Sequence, residues 1–268
     1  MMAISQNGTA YELSGPSDAP AVVLIHGLGL TRSSTWGAIV PDLSQNFRVL
    51  TYDLLGHGQS ALPNVEVTLR SLAKQLVDLM DELKIEKAAL LGFSLGGMIN
   101  RRIAIDFPNR VSALAVLNSP HDRGEEQQQI VEKRAQDTAE GGPAAGIDVT
   151  LARWFTKDFM ETHAQDVASI RQIVLANDPK NYAAHRWVLA EGVRELIAPD
   201  SPINHPTLVL TCENDTGSTP AMTRAITAEI DGAEAIIIPS LQHLGLIERP
   251  ELFAHALRDF LNRTLTKQ

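Results

Sequence analysis

A single serine stands between glycines at the end of an apolar run, where residues 88–98 read AALLGFSLGGM. Helix-compatible sequence follows at once, so Ser94 lies at the carboxyl end of a predicted strand and at the start of a predicted helix. Gly92 and Gly96 lack side chains that would collide in such a sharp turn. The turn lifts the serine hydroxyl above the sheet, and the helix N-terminus favours the negative charge that develops during attack on a carbonyl. This spacing predicts that Ser94 is a nucleophile.

A serine hydroxyl attacks only when a base removes its proton and a third group orients that base. Ligands of open α/β sheets bind beyond the carboxyl ends of the strands, so the partners of the serine are expected at other strand ends. Asp215 and Glu213 follow the predicted strand 207–211, and His243 follows the predicted strand 233–238. We predict that Asp215 is the acid and His243 the base, with Glu213 as the alternative acid.

The negative charge on the attacked carbonyl oxygen needs backbone donors, and the sequence HGLG directly after the predicted strand 21–25 offers them. Its two glycines let the backbone curl so that amides point towards the serine. We predict that the backbone N–H groups of Leu28 and Leu95 form this oxyanion hole. His26 is predicted to be a hydrogen-bonding residue beside the pocket, not a second base.

The elements that must position these residues alternate between short apolar runs and longer amphipathic stretches. Near-continuous apolar runs predict strands of a parallel sheet covered on both faces, at residues 21–25, 47–52, 87–92, 111–117, 207–211 and 233–238. Apolar residues at helical spacing predict helices, at about residues 67–83, 95–107, 221–230 and 250–265. The predicted fold class is α/β, with a mostly parallel, doubly wound sheet.

Residues 121–197 break this alternation, because their charged, helix-like sequence contains no convincing strand pattern. The segment is too long to be a plain connection in a compact domain. We predict a helical cap subdomain over residues 121–197, inserted into an α/β core domain formed by residues 1–120 and 198–268.

As a set, these motifs resemble the α/β-hydrolase superfamily. The resemblance lies in the His-Gly after the first long strand, in DLLGHGQS at residues 53–60, in the GFSLGG elbow, and in the relative positions of Asp215 and His243. It extends over nearly the whole chain. It implies the α/β-hydrolase fold, with the inserted segment as the family's helical cap.

Within the superfamily, RWFT at residues 153–156 and HLGLIERP at residues 243–250 resemble the 3-oxoadipate enol-lactonase-like branch. Two positions depart from that branch: HGL at residues 26–28 stands in place of a Ser-Asn-Ser-type segment, and Cys212 replaces the usual glycine before the acid. We predict a serine hydrolase that cleaves carboxylic esters through an acyl-enzyme, as carboxylesterases do. The alternatives are an enol-lactone or other lactone hydrolase and, from another class, a slow-turnover ligand-binding signalling protein with an intact triad.

The predicted cap holds much of the chain's scarce aromatic content, and substrate choice is expected to reside there. An apolar pocket over the nucleophile is expected, lined by His26, Trp154, Phe155, Tyr182 and Trp187. Arg153 and Arg186 could reach a substrate carboxylate, as an enol-lactonase-like substrate would need. Each lies beside an aromatic residue that would occupy the inward face, however, so both are expected to face solvent. These placements predict a preference for small or medium neutral esters over dicarboxylate lactones.

Composition restricts the possible partners. The chain of 268 residues is 44% hydrophobic and carries a formal net charge of −9, which suits a globular protein and disfavours nucleic acids and anionic membranes. The start has neither the basic nor the apolar region of a signal peptide, and no apolar run approaches the ~20 residues that cross a bilayer. Cys212 is the only cysteine, and the histidines form no metal-binding pair. We expect a cytoplasmic monomer or homodimer that acts on a small-molecule ester or lactone, without metal or cofactor.

Overall fold

An eight-stranded sheet lies at the centre of the computed structural model, which describes residues 2–265. The strands are β1 Ala3–Ile4, β2 Ala10–Ser14, β3 Ala21–Ile25, β4 Arg48–Tyr52, β5 Ala88–Phe93, β6 Val111–Leu117, β7 Thr207–Cys212 and β8 Glu234–Ile238. Their order across the sheet is β1-β2-β4-β3-β5-β6-β7-β8. Strand β2 pairs antiparallel with β1 and β4, and the other neighbours pair in parallel. The prediction of a mostly parallel α/β sheet is confirmed.

Helices connect most of the strands. They are α1 Arg32–Trp36, α2 Val40–Leu43, α3 Leu69–Glu82, α4 Leu95–Asp106, α5 Gly124–Gly141, α6 Ile147–Trp154, α7 Lys157–Thr162, α8 Ala164–Leu175, α9 Pro179–Glu191, α10 Pro220–Glu229, α11 Gly245–Glu248 and α12 Pro250–Leu265. Among the residues that the structure describes, no helix combines the length and the apolar character needed to cross a membrane.

The central strands are buried almost completely, and this explains their apolar sequences. All positions of β5 and β7 are buried, as expected for parallel strands covered on both faces. The apolar-run pattern does not predict β1 and β2. Strand β1 has only two residues, and β2 is mostly half-buried at the antiparallel edge, so neither produces a continuous apolar run.

Helix α3 shows how local sequence sets a helix that packs on the sheet. The Thr68 hydroxyl accepts the amide hydrogen of Ser71, and the Ser71 hydroxyl accepts that of Thr68, so a reciprocal capping box starts the helix. Leu72, Leu76 and Leu79 recur at helical spacing, and all three are buried.

The chain between β6 and β7 is helical, from α5 to α9. All of residues 121–197 are described, and they contain helices and connecting turns but no strand. We call residues 121–197 the cap segment. Its helices α5 and α9 pack against each other, and its residues line one side of the pocket described below. The exact division into core and cap domains stays a prediction.

Candidate active site

Ser94 joins β5 to α4 in a strained conformation. Its φ of 56° and ψ of −113° lie in a region that side-chain-bearing residues rarely adopt. The backbone amide of Ser94 donates to the carbonyl of Leu117 on β6, which anchors the turn to the neighbouring strand. A Cβ added to Gly92 would lie 2.1 Å from the carbonyl oxygen of Gly96, and one added to Gly96 would lie 2.3 Å from the carbonyl oxygen of Ile25, so neither position has room for a side chain. The structure therefore forms the tight elbow that the sequence predicts.

Three side chains from separate strand ends meet at this elbow. The Nε2 atom of His243 lies 3.2 Å from the Oγ atom of Ser94, and its Nδ1 atom lies 2.7 Å from Oδ2 of Asp215. The side chain of His243 is 12% exposed, and that of Asp215 is 1% exposed. These distances permit proton transfer from the serine hydroxyl to His243, with Asp215 holding the ring by its other nitrogen.

The carboxylate of Asp215 is held in its ionised form. Burial by itself would raise its pKa, but the neighbouring His243 and hydrogen bonds from Asn118 and the Ser218 amide outweigh burial and lower the pKa. The amides of Gly217 and Ser218 both donate to Oδ1 at 2.9 Å, so the oxygen that does not face the imidazole is also satisfied. An ionised, fully hydrogen-bonded carboxylate is suited to stabilising a protonated imidazole.

The alternative acid, Glu213, lies elsewhere. Its side chain accepts the backbone amide of Ser240 at 2.9 Å, and the residue is exposed. It therefore contacts the start of the loop that carries His243, whereas Asp215 contacts the imidazole itself.

Asn118 belongs to this site and was not among the predicted residues. It follows β6 with a φ of 45°, and its side-chain amide donates to Oδ2 of Asp215 at 2.9 Å. The same amide group contacts Thr211 Oγ1 at 3.3 Å. Its position in the sequence could have indicated this role. A polar residue directly after a buried parallel strand lies at the edge of the sheet where the other site residues meet.

The two predicted oxyanion donors lie on either side of the serine. A Cβ added to Gly27 would lie 3.2 Å from the Cβ of Ser94, so the loop after β3 approaches the nucleophile closely. Leu28 lines the pocket, and Leu95 begins α4 directly after the serine. Among the hydrogen bonds of residues 2–265, none is donated by the backbone amides of Leu28 or Leu95. Both amides therefore remain available to an oxygen atom of a ligand.

A pocket opens above Ser94 and is lined from both the core and the cap segment. Core residues supply Gly27, Leu28, Leu30, Phe93, Ser94, Pro120, Asp215, Thr216, Gly217, Ser218 and His243. The cap segment supplies Arg123, Val131, Arg134, Arg153, Trp154, Arg186 and Leu189. Four arginines thus line the pocket from the cap segment, and Asp215, already paired with His243, is the only acidic residue of the lining.

Three of these arginines form no ion pair within residues 2–265. No salt bridge or side-chain hydrogen bond within residues 2–265 involves the guanidinium groups of Arg134, Arg153 or Arg186, and the Nε atoms of Arg153 and Arg186 are buried and unpaired. Burial, together with the charges of Arg134 and Arg186, lowers the pKa of Arg153 to about 10, against the opposing charge of Asp215. The expectation that Arg153 and Arg186 face solvent is therefore wrong.

Arg123 differs from the other three. Its guanidinium donates to Gln128 Oε1 at 3.0 Å and to the backbone carbonyls of Leu189 and Ala190 at 3.0 and 3.2 Å. It therefore ties the start of the cap segment to the end of α9 through neutral acceptors.

Comparisons with known proteins agree with this geometry. A family model described as the alpha/beta hydrolase fold matches residues 20–250. This chain is an α/β hydrolase.

It is 30% identical to 3-oxoadipate enol-lactonase 1 of Acinetobacter baylyi, over 94% of this chain and 92% of that protein. The crystal structure of the enol-lactonase from Burkholderia xenovorans LB400 superposes with a TM-score of 0.87 at 32% identity, over 98% of this chain and 100% of that chain. A thermophilic esterase from Thermogutta terrifontis, solved with malate bound, has a TM-score of 0.83 at 28% identity, over 96% of this chain and 93% of that chain.

The predicted aromatic lining of this α/β hydrolase is mostly wrong. Trp154 does line the pocket, with its ring centroid 6.1 Å from that of His243. Trp187 is 46% exposed, because it follows Arg186 on α9 and a step of one residue turns a helix by about 100°. Phe155 is fully buried and stacks on Phe159 at 5.3 Å, inside the cap segment.

Tyr182 and His26 are also displaced from the predicted lining. The ring of Tyr182 packs against Gly29, where an added Cβ would lie 2.8 Å from its Cε2 atom. His26 is fully buried at the start of the loop after β3, and its Nε2 atom accepts the amide hydrogen of Leu54 at 2.9 Å. Its predicted hydrogen-bonding role agrees with these contacts, although its place in the pocket lining does not.

Proposed function

We propose that this α/β hydrolase cleaves an ester or lactone bond in a small substrate that carries a carboxylate, through an acyl-enzyme on Ser94. The observation that carries this proposal is the wall of unpaired arginines in the same pocket as the serine hydroxyl. The family supports hydrolase activity, and the arginines of the pocket support a negatively charged substrate. The earlier expectation of neutral esters depended on solvent-facing arginines and is replaced.

The physical argument begins with the cost of unpaired charge. A buried guanidinium without acceptors loses hydration without compensation, and the neighbouring arginines repel one another. The chain as a whole has a net charge of −9, so a cluster of cations in one pocket is a local feature. A planar carboxylate accepts two parallel hydrogen bonds from an arginine and removes both penalties. A neutral ester would leave these donors unpaired.

The proposed chemistry assigns a role to each nearby group. Nε2 of His243 takes the proton of the Ser94 hydroxyl as Oγ attacks the substrate carbonyl, and the amides of Leu28 and Leu95 hold the resulting oxyanion. Asp215 stabilises the imidazolium. His243 then gives its proton to the leaving alkoxide or enolate oxygen, and a water molecule activated by the same imidazole hydrolyses the acyl-enzyme.

Esters and lactones both remain within this proposal, because the same steps open either bond. The enol-lactonases among the relatives support lactones. The esterase supports esters, and the malate bound to it is a dicarboxylate.

The test compares matched substrates with and without a carboxylate. We expect higher kcat/KM for monomethyl esters of dicarboxylic acids than for the corresponding dimethyl esters, and for lactones with a carboxymethyl substituent than for those with a methyl group. Arg186→Met and Arg153→Met should each lower kcat/KM for the charged substrates by about 10- to 100-fold, mainly through KM, because a hydrogen bond to a charged group contributes about 1.5–3 kcal/mol.

Arg171→Met is the matched control, because it removes the same charge from a residue that pairs with the exposed Asp148 outside the pocket. Equal losses on charged and neutral substrates, or a wild-type preference for the neutral esters, would contradict the proposal. Turnover far below the usual 1–10³ s⁻¹ on every ester and lactone would instead favour the ligand-binding alternative.

A further inference from the structure

Two histidines outside the triad connect the loop after β3 to the loop after β4 by reciprocal hydrogen bonds. His26 belongs to the first loop, and its Nε2 atom accepts the backbone amide of Leu54 from the second at 2.9 Å. His57 belongs to the second loop, and its Nε2 atom accepts the backbone amide of Gly29 from the first at 3.0 Å. The ring centroids are 5.4 Å apart, and both residues are at most 1% exposed. The mechanism described above uses neither of them.

These contacts fall on the peptide units that flank the proposed oxyanion donor. Nδ1 of His26 lies 2.8 Å from the carbonyl oxygen of Gly27, which shares a peptide plane with the amide of Leu28. Because a trans peptide is planar and its C=O and N–H point in opposite directions, holding the Gly27 carbonyl sets the direction of the Leu28 N–H. His57 holds the next peptide plane through the amide of Gly29. Leu28 is thus fixed from both sides.

The hydrogen bonds require one particular form of each ring. Since Nε2 of both histidines accepts an amide hydrogen, each ring must be neutral, with its proton on Nδ1. In His26 that proton is donated to the Gly27 carbonyl. In either histidine, a proton added to Nε2 would face an N–H donor and break the contact between the two loops.

The cap segment contacts the same short stretch of backbone. The side-chain amide of Asn177 donates to the carbonyl of Gly29 at 3.0 Å, which holds a third consecutive peptide plane. His185 on α9 packs edge-on against His57, with ring centroids 4.6 Å apart. Helix α9 also carries Arg186, so the helix that supplies a pocket arginine supports the histidine behind the oxyanion loop.

We propose that His57, acting with His26, is a positioning residue that aims the backbone N–H of Leu28 at the oxyanion. The inference rests on the proposed function, because it gives the two histidines a role in the same hydrolysis. Neither ring touches the reacting atoms. Their effect is expected where charge develops on the carbonyl oxygen, and hence in kcat more than in KM.

His57→Leu removes the acceptor at similar bulk, whereas His57→Gln keeps an acceptor near the position of Nε2. We expect His57→Leu to lower kcat by about 10- to 100-fold with KM changed less than about threefold, and His57→Gln to recover most of the loss. Binding of a boronic acid, which forms a tetrahedral adduct on Ser94, should weaken in His57→Leu. Inhibition by a simple dicarboxylate should not change. His255→Leu is the control, since that side chain is 67% exposed on α12.

Several outcomes would overturn the inference. A folded His57→Leu variant with wild-type kcat would do so, as would equal losses in the leucine and glutamine variants or a change confined to KM. If His57→Leu does not fold, nitrogen NMR of the wild-type protein still decides, because Nε2 of His26 and His57 must be unprotonated at neutral pH. Labelling of Ser94 by an organophosphonate tests the proposed function separately: a labelled, active wild type with an unaffected His57→Leu variant refutes the positioning role alone.

Discussion

The two sides of the pocket differ in how their polar groups are satisfied. On the core side, Asp215 accepts hydrogen bonds from Gly217, Ser218 and Asn118 and contacts His243, so each of its oxygens has a partner. On the cap side, Arg153 and Arg186 keep buried Nε atoms without any acceptor among the described residues. The carboxylate on the proposed catalytic side is fully hydrogen-bonded before substrate arrives, whereas these two arginines of the cap side have no hydrogen-bond acceptor.

This difference fits two separate tasks of the proposed site, stabilising the transition state and selecting the substrate. Groups that stabilise a transition state act best when they are already oriented, because reorganisation at the moment of reaction adds to the barrier. Groups that select a substrate discriminate more strongly when they have no hydrogen-bond partner in the free enzyme, because the wrong substrate then leaves buried donors unpaired. Core variants should therefore change kcat, and cap variants should change KM for charged substrates. Substitutions on the core side test this comparison, from the largest expected loss of kcat to the smallest.

The largest effect is expected from Ser94→Ala. Without the nucleophile no acyl-enzyme can form, so kcat should fall by at least about 10⁴-fold while the fold stays intact. An organophosphonate should label the wild-type protein once per chain, at Ser94. Label on another residue, or substantial activity in the alanine variant with unchanged circular dichroism, would place the nucleophile elsewhere.

The next effect concerns the acid. Asp215→Asn should lower kcat by about 10⁴-fold, because an amide nitrogen facing Nδ1 of His243 favours the unproductive tautomer. Glu213→Gln should change kcat little, since the exposed Glu213 contacts the Ser240 amide. Steady-state kinetics of both variants tests the assignment, and exchanged behaviour would make Glu213 the acid.

Asn118→Gly should produce a smaller loss. Glycine tolerates the φ of 45° at this position but removes the amide that donates to Asp215. We expect kcat to fall about tenfold with little change in KM, because a hydrogen bond to a carboxylate contributes about 1.5–3 kcal/mol and the remaining donors compensate in part. The pKa of Asp215 should rise with the loss of this bond, and the pH profile of kcat/KM reports it. A variant altered only in KM would show that Asn118 contacts substrate instead.

An effect on stability, without a role in the reaction, is expected from the buried histidines. Burial lowers the pKa of His185 to about 4, and burial with the nearby His185 and His26 lowers that of His57 well below its ordinary value. The pKa of His26 is also lowered by burial and by Arg32, against the opposing charge of Asp53. The unfolded chain binds protons at these rings once the pH falls below about 6.5, whereas the folded chain does not. Stability is therefore lost as the pH falls from about 6.5 towards 4.

Denaturant unfolding at several pH values checks this sign. In His185→Gln, the free energy of unfolding should depend less steeply on pH between pH 6.5 and 4, because one proton fewer is taken up on unfolding. The slope should decrease by about 1.4 kcal/mol per pH unit. His255→Gln should leave the slope unchanged because that side chain is exposed. An unchanged slope in His185→Gln would mean that His185 takes up its proton in the folded protein as readily as in the unfolded chain.

Much of the core was predictable because its signals are local and its topology is constrained. Apolar runs predict β3 to β8 within about two residues, and parallel strands connected by helices present their carboxyl ends at one edge. Ser94, Asp215 and His243 each follow such a run, so their meeting required no knowledge of side-chain packing. Asn118 obeys the same rule, but amides after strands are common, and only the contact with Asp215 distinguishes it.

The sequence by itself determined the elbow, the order of serine, acid and histidine, and the strand ends at which they stand, because each depends on neighbours in the chain. The orientation of the cap helices was decided only in the tertiary structure. Apolar and polar residues hardly segregate around α9, so its sequence does not indicate which face turns inward. Packing of α9 against α5 and against the loops after β3 and β4 decides this, and it places Arg186 in the pocket and Trp187 at the surface. A rotation of about one residue would have turned Arg186 out of the pocket, and the pocket would then have lost one of the charges on which the proposed carboxylate substrate depends.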